Sequence, residues 1–196
     1  IDESMIQNGP PHNSNIGYSY SKRMMHVLSQ IYNREYGHHF TSIIPCNVYG
    51  PRDNFNITNG HVIPSLIHKC YLAKRDNTDF VVCGTGKPIR QFIFSPDLAQ
   101  LSVWVMRSYP EKDGIILCGD IESEYSIEEI TKLIARIIGF KGKIIFDQTS
   151  ADGQQRKTAS NGKLRKFLPD FKFTDIEGGL KTSIDWFEKH FEEARK

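Results

Sequence analysis

The sequence has no run approaching the roughly 20 consecutive apolar residues that a bilayer-spanning helix needs, which excludes such a span. Neither sign of charge dominates: 25 Lys and Arg stand against 23 Asp and Glu, a formal net charge of +2. Bulk nucleic-acid binding is therefore not expected, because it leaves a dense Lys/Arg face. Cysteine is sparse, with Cys46, Cys70, Cys83 and Cys118 each standing alone, in no CxxC pair and no short Cys/His cluster. That pattern argues against a zinc site and a redox dithiol, so no metal ligand is assigned. Thiols so scattered are expected to be reduced, two or three of them in the core, in a cytosolic protein. The single sequon, Asn56-Ile57-Thr58, would then be accidental. The sequence also lacks internal repeats and low-complexity tracts. Ile1-Asp2-Glu3-Ser4 has neither the basic nor the apolar stretch of a signal peptide, and without an initiator Met it reads as the interior of a longer chain.

What is present describes an ordinary globular chain. Its 196 residues are 39% hydrophobic and 24% charged, enough for a substantial core and inconsistent with disorder or a collagen-like repeat. After a polar start broken by Gly9-Pro10-Pro11, the spacing predicts a helix from Asn15 to Tyr36, with Ile16, Tyr20, Met24, Leu28 and Ile31 on one side and Gly37 as its stop. Phe40–Pro45 reads as a buried strand, followed by a loop from Cys46 to Gly60. A helix over 61–74, a strand at Phe80–Cys83, a helix opened by Ser95-Pro96-Asp97 with Ser95 as N-cap, and a strand at Ile115–Leu117 follow. Ser126-Ile127-Glu128-Glu129 is a capping box ahead of an apolar stripe, Ile144–Phe146 is a further strand, and Thr174–Glu177 caps a terminal helix. The alternation predicts an α/β protein.

The local signal for chemistry is Tyr18-Ser19-Tyr20-Ser21-Lys22. Positions i and i+4 share a helix face, so the Lys22 ammonium lies near the Tyr18 phenol. A free phenol, with its pKa near 10, is a poor proton donor or acceptor at neutral pH, and an adjacent cation favours the phenolate. Tyr18 would then exchange a proton with a carbonyl or alcohol oxygen while a hydride moves at carbon. The plain alternative is a half-buried Tyr with a solvated Lys one turn on. His61, read alone, is a helix cap or surface residue; Arg90 is a surface Arg in a salt bridge; Asp152-Gly153 is a turn. Gly84-Thr85-Gly86-Lys87 resembles part of a phosphate loop but lacks the full G-x-x-x-x-G-K-[ST] pattern and runs into Pro88.

The Tyr-x-x-x-Lys helix leads into a strand and then Pro45-Cys46-Asn47-Val48-Tyr49-Gly50-Pro51. In this the sequence resembles the extended short-chain dehydrogenase/reductase superfamily. Asp53-Asn54-Phe55-Asn56, Gly60-His61-Val62-Ile63-Pro64, Gly84 to Phe92 and Ser150-Ala151-Asp152-Gly153 narrow the resemblance to its epimerase-reductases acting on a GDP-linked 4-keto-6-deoxy sugar. The resemblance implies the C-terminal part of a Rossmann-type doubly wound parallel sheet, over residues 1–58, and a smaller α/β substrate-binding domain that makes up most of 59–196. It implies that Tyr18 donates the proton for reduction of the 4-keto group and that Lys22 holds the nicotinamide ribose. Pro45, Cys46, Asn47 and Val48 would line the nicotinamide end of NADPH, the implied cofactor. His61 would be an acid/base in epimerisation at C3 and C5. Lys69, Cys83, Arg90 and Asp152 would meet the GDP-sugar, with Lys69 and Arg90 near the pyrophosphate.

Two positions depart from the resemblance: Cys83 stands where Trp is usual, and Cys46 where Thr is usual. The glycine-rich fingerprint, an active-site Ser and an epimerisation Cys all belong upstream of Ile1, so this chain alone is expected neither to bind NADPH tightly nor to turn over. The resemblance also implies a homodimer formed through the Tyr-x-x-x-Lys helix, with Met24, Leu28 and Ile31 toward the partner chain. Two rival readings remain. One is an epimerase or dehydratase of the same superfamily acting on another nucleotide sugar, and the other is an inactive truncated homologue that serves at most as a dimerisation partner.

Overall fold

The computed structural model describes residues 1–149 and 152–196. Helix α1 (Ile16–Tyr36) follows two short 3-10 turns and ends at Gly37, whose φ of +69° closes the helix in the left-handed conformation. Strand β1 (Ile43–Pro45) and strand β2 (Asn47–Tyr49) are separated by Cys46 alone. The stretch expected to be a loop from Cys46 thus begins with a strand. The chain then runs through α2 (Val62–Asp76), β3 (Phe80–Cys83), β4 (Ile89–Phe94), α3 (Ser95–Ser108) and β5 (Ile115–Leu117). Strand β6 (Glu124–Ser126), α4 (Ile127–Ile138), β7 (Ile144–Asp147), β8 (Arg156–Lys157), α5 (Gly162–Phe167) and α6 (Ile176–Lys189) complete it.

Three strand pairings organise the chain. β1 runs parallel to β5, with Pro45 opposite Leu117. β2 runs parallel to the second half of β4, while the first half of β4 pairs antiparallel with β6 and parallel with β8. β3 runs parallel to β7. Parallel strands need crossover connections, and here helices supply them, which is the reason for the alternating sequence pattern. At Cys46 the chain leaves one pair for the next: its N–H donates to the Leu117 carbonyl at 3.3 Å, and Asn47 is already aligned with Phe92.

Two buried clusters result. One joins Ile93, Leu101, Val105, Tyr109, Ile115, Leu117 and Leu164 beneath β1, β5 and α3. The larger joins β3 and β4 to α2, α4 and α6 through Phe55, Ile67, Phe80, Phe92, Ile134, Leu180 and Phe187. Gln91 ties the strands together from within. It is 1% exposed, its Nε2 donates to the Gly119 carbonyl at 2.8 Å, and its Oε1 accepts from Ala159 N at 3.1 Å.

The starts of α1, α2, α3, α4 and α6 fall within a residue of those the sequence predicts, whereas α5 has no counterpart in the sequence reading. The capping box is present, Ser126 Oγ accepting from Glu129 N and the Glu129 carboxylate accepting from Ser126 N. The N-cap of α3, however, is Phe94, and Ser95 is the first helical residue. Asp175 caps α6, its carboxylate accepting from Gly178 N at 2.8 Å, while Thr174 donates through its N–H and hydroxyl to buried Asp97. In α1 the periodicity located the helix but not its inner face. His26 and Asn33 are the buried residues, bonded to Ser42 and Phe40, whereas Ile16, Tyr20, Met24 and Leu28 are exposed.

Candidate active site

Tyr18 and Lys22 lie one turn apart on the exposed side of α1, with Lys22 Nζ 5.5 Å from the centroid of the Tyr18 ring. The side chains are thus placed as the i,i+4 spacing predicts. Both are open to solvent, so a ligand can reach the phenol and the ammonium together.

Pro45 to Val48 form no loop but the strand-to-strand step from β1 to β2, at the C-terminal end of the parallel β1–β5 pair. Side chains alternate there. Pro45 and Asn47 point outward, while Cys46 and Val48 turn toward the cluster around Ile93 and Leu117. Asn47 Nδ2 donates to the Gln91 carbonyl at 2.8 Å and so braces the step against β4. Burial pushes the Cys46 thiol up to about 12, and that side chain packs as a small apolar group. The C-terminal edge of parallel strands is where doubly wound sheets receive nucleotide cofactors. Pro45 to Val48 lie at that edge of the β1–β5 pair. No glycine-rich strand–turn–helix that would seat the pyrophosphate occurs among the described residues.

His61 is the N-cap residue of α2, with extended backbone, an exposed ring and no side-chain bond to the helix. Asp53, half-buried, lies within its electrostatic reach. Burial raises the Asp53 carboxyl, and the bond from Asn54 N, His61 and Arg195 partly offset that. Lys69, on the same helix, lies about 12 Å further along the axis at 1.5 Å per residue.

The remaining expected residues gather at the ends of β3 and β4. Lys69 Nζ reaches Cys83 Sγ at 3.6 Å, placing the ammonium on the exposed thiol at the end of β3. Asp152 then closes over the turn that follows, its Oδ1 accepting from Thr85 N at 2.9 Å and its Oδ2 from the Thr85 hydroxyl at 2.5 Å. The Thr85 bonds first, and then Lys87 and Arg90, hold the Asp152 carboxyl below the usual carboxylate range. Gly84, at φ +84°, allows this approach, since a Cβ there would lie 2.5 Å from Asp152 Oδ1. Arg90 Nη1 donates to the carbonyls of Ile89 and Gln154, both at 2.8 Å, which fixes the guanidinium plane. Ser150 and Ala151, the first half of that motif, lie outside the described residues.

Lys69, Cys83, Arg90 and Asp152 are therefore one group, and Tyr18 and Lys22 another. Thr85, which holds Asp152, was not singled out as a site residue. Its sequence signals were its place in the Gly84 to Phe92 stretch of the resemblance and a partial phosphate-loop pattern, and since Gly84–Pro88 leads into strand β4 rather than a helix, a phosphate loop of that kind is excluded. Lys69, Lys87 and Arg90 supply cations that an anionic ligand could meet, with the carboxylates of Asp152, Asp147 and Glu128 around the same turn.

The chain combines an α/β fold of parallel strand pairs with an exposed Tyr–Lys pair on a helix, an arrangement compatible with nucleotide-dependent proteins. The family model described as NAD dependent epimerase/dehydratase matches residues 1–119, and the chain belongs to that family. It is 55% identical over 196 residues to a GDP-L-fucose synthase of Dictyostelium discoideum, covering all of this chain and 61% of that protein. A probable GDP-L-fucose synthase of Drosophila melanogaster is 45% identical over 203 residues, covering all of this chain and 63% of the relative. The crystal structure of a GDP-L-fucose synthetase from Naegleria fowleri bound to NADP superposes with a TM-score of 0.97 at 44% identity, covering all of this chain and 63% of that one. The chain thus spans about three-fifths of the length of the curated relatives it matches.

Proposed function

We propose that the complete protein is an NADPH-dependent epimerase-reductase that converts GDP-4-dehydro-6-deoxy-D-mannose to GDP-L-fucose in the cytoplasm. The observation that carries this reading is the Tyr18–Lys22 pair, with Lys22 Nζ 5.5 Å from the Tyr18 ring centroid, in a chain of this family. In this reading residues 1–58 complete the cofactor domain and 59–196 mainly bind the sugar nucleotide.

The 4-keto group first acidifies the C–H bonds at C3 and C5. His61 takes or returns one of the protons that inversion moves, the second acid/base being a cysteine that the resemblance puts in the part of the relatives this chain does not span. NADPH, which Lys22 and the Pro45 to Val48 step would hold, would supply the hydride that C4 receives. Tyr18 gives its hydroxyl proton to the 4-keto oxygen, leaving a phenolate that Lys22 stabilises until water reprotonates it. Pro45, Cys46, Asn47 and Val48 line the nicotinamide end, largely through the main chain of the β1–β2 step. Lys69 and Arg90 face the GDP pyrophosphate, Arg90 presenting a plane fixed by two carbonyls, while Cys83 and Asp152 complete the sugar-nucleotide contact. The outward stripe of Ile16, Tyr20, Met24 and Leu28 supports a homodimer through α1.

The test is NADPH oxidation by the full-length protein with GDP-4-dehydro-6-deoxy-D-mannose, with the product identified by NMR. Formation of GDP-L-fucose is expected, and turnover of another nucleotide sugar in its place overturns the assignment. The inactive-homologue reading is separated by titrating NADPH fluorescence against residues 1–196 and against the full-length protein. Tight binding only by the latter is expected.

A further inference from the structure

The loop from Asp53 to Gly60 delivers His61, and it is held more firmly than an Asn-rich surface stretch requires. Arg52, just ahead of it, sits at φ +64°, a left-handed conformation uncommon outside glycine. Within the loop, Asn54 Oδ1 accepts from Asn56 N at 3.2 Å, and Asn56 Oδ1 accepts from Thr58 N at 2.9 Å and Asn59 N at 2.8 Å. Gly60 packs onto the carbonyls of Asn56 and Asn54, which a Cβ would meet at 2.4 and 2.5 Å.

The anchor of this loop is Phe55. Its ring is fully buried and stacks on Phe187 at 4.4 Å, and its N–H donates to the Arg195 carbonyl at 2.7 Å. The Phe55 carbonyl lies 2.8 Å from Nδ1 of His68. A carbonyl can only accept, so Nδ1 carries the hydrogen. His68 lies on α2, the helix that His61 caps, and is 8% exposed, with its ring against Phe187 and Phe191. Its bond therefore closes the loop back onto the helix the loop feeds. Burial lowers the His68 pKa, which keeps the ring neutral around neutral pH.

We propose that His68 is a positioning residue for His61: by holding the Phe55 carbonyl to α2, it fixes the loop that sets where His61 meets the sugar. This rests on the proposed function, and it names a residue that touches neither substrate nor cofactor.

Two variants of the full-length protein test it. His68→Leu keeps apolar bulk between Phe187 and Phe191 and leaves the Phe55 carbonyl without its donor. His68→Asn places an amide nitrogen where Nδ1 stands and so restores the bond. Two partial reactions are followed: deuterium uptake at C3 and C5 in D2O without NADPH, which needs His61, and NADPH reduction of the already epimerised 4-keto sugar, which needs Tyr18. Misplacement of a reacting group by about 1 Å costs about 10²-fold. His68→Leu is therefore expected to slow deuterium uptake by about 10- to 100-fold in kcat with little change in KM, to leave reduction within about twofold, and to be rescued by His68→Asn.

Amide exchange at Phe55 to His61 gives a readout independent of activity. Losing one buried bond speeds local opening by about 10- to 100-fold, so His68→Leu accelerates these amides and His68→Asn does not. An equal fall in both partial reactions, an unaffected His68→Leu, or an unrescued His68→Asn overturns the proposal. A wild-type protein that exchanges no deuterium overturns the proposed function instead, and unaccelerated amide exchange in His68→Leu then overturns the anchor by itself.

Discussion

Replacing Gln91 with Leu removes a tie that spans three segments. Gln91 sits in the middle of β4, 1% exposed, with Nε2 donating to the Gly119 carbonyl at 2.8 Å and Oε1 accepting from Ala159 N at 3.1 Å. Leu has nearly the same volume and can occupy the site, so the cost comes from the two main-chain groups left without partners. A buried, unsatisfied group costs about 1–3 kcal/mol; the Gly119 carbonyl is buried and Ala159 N only partly so, which sets a destabilisation of about 2–4 kcal/mol. For a chain of this size, about 3 kcal/mol lowers Tm by roughly 6–12 °C. Urea unfolding followed by circular dichroism measures it. An unchanged m with a lower midpoint shows lost stability rather than a changed denatured state.

Gln91→Glu sharpens the test. The carboxylate keeps the acceptor for Ala159 N but turns an oxygen toward the Gly119 carbonyl, which only a protonated carboxyl can satisfy. The folded-state pKa of that Glu is therefore raised above its unfolded value near 4.3. Its contribution is present below the unfolded pKa and lost as pH rises through the folded one, so Gln91→Glu approaches wild type at about pH 4 and falls behind it at pH 7. A Gln91→Leu protein within about 1 kcal/mol of wild type, or a Gln91→Glu deficit independent of pH, refutes the reasoning.

Other expectations are checked more simply. Tyr18→Phe in the full-length protein removes the proton donor and is expected to lower 4-keto reduction by about 10²- to 10⁴-fold while deuterium uptake at C3 and C5 continues; equal loss of both counts against the assignment. Gly86→Ala introduces a Cβ 2.6 Å from Phe146 Cε1 at φ +77°, and a loss of about 1–3 kcal/mol is expected in urea unfolding. Burial raises the thiols of Cys46, Cys70 and Cys118 to about 12, so iodoacetamide at pH 8 followed by peptide mass mapping is expected to mark exposed Cys83 first. Hydrogen bonding from Arg165 holds the Asp120 carboxyl below its ordinary range. That contribution is present above the unfolded pKa near 3.9 and is lost as pH falls below it, so Asp120→Asn narrows the stability difference between pH 6 and pH 3.

Much of the fold was legible because its signals are local. The 3.6-residue period placed α1, Gly37 marked its end, and the capping box fixed the start of α4. Strand β4 was not legible. Its Ile-Arg-Gln-Phe-Ile-Phe run does not alternate apolar and polar residues, because Gln91 is buried among partners 28 and 68 residues away, which no local window contains. β2 was hidden by its Pro, Asn and Gly neighbours, and β6 and β8 exist only as partners of β4. The same division holds in the site. Tyr18 and Lys22 meet through one helical turn, whereas Lys69 meets Cys83, and Asp152 meets Thr85, only once helix α2 and the β3–β4 turn have packed.

Helix α1 shows the limit of periodicity most clearly. A moment in the sequence says that one side differs from the other, not which side is inward. His26 and Asn33 face the body because each finds a bond there, with Ser42 and with Phe40. With those polar groups satisfied inside, the apolar side consisting of Ile16, Tyr20, Met24 and Leu28 is left outward, beside Tyr18 and Lys22. Such a stripe loses more by staying in water than isolated exposed apolar residues do. A surface that covers it would also hold the backbone carrying Tyr18, so the assembly proposed through α1 and the chemistry proposed at Tyr18 depend on the same helix. Weakening the first, for example with Met24→Glu, is therefore expected to lower the rate of the second even though Met24 touches no reacting atom.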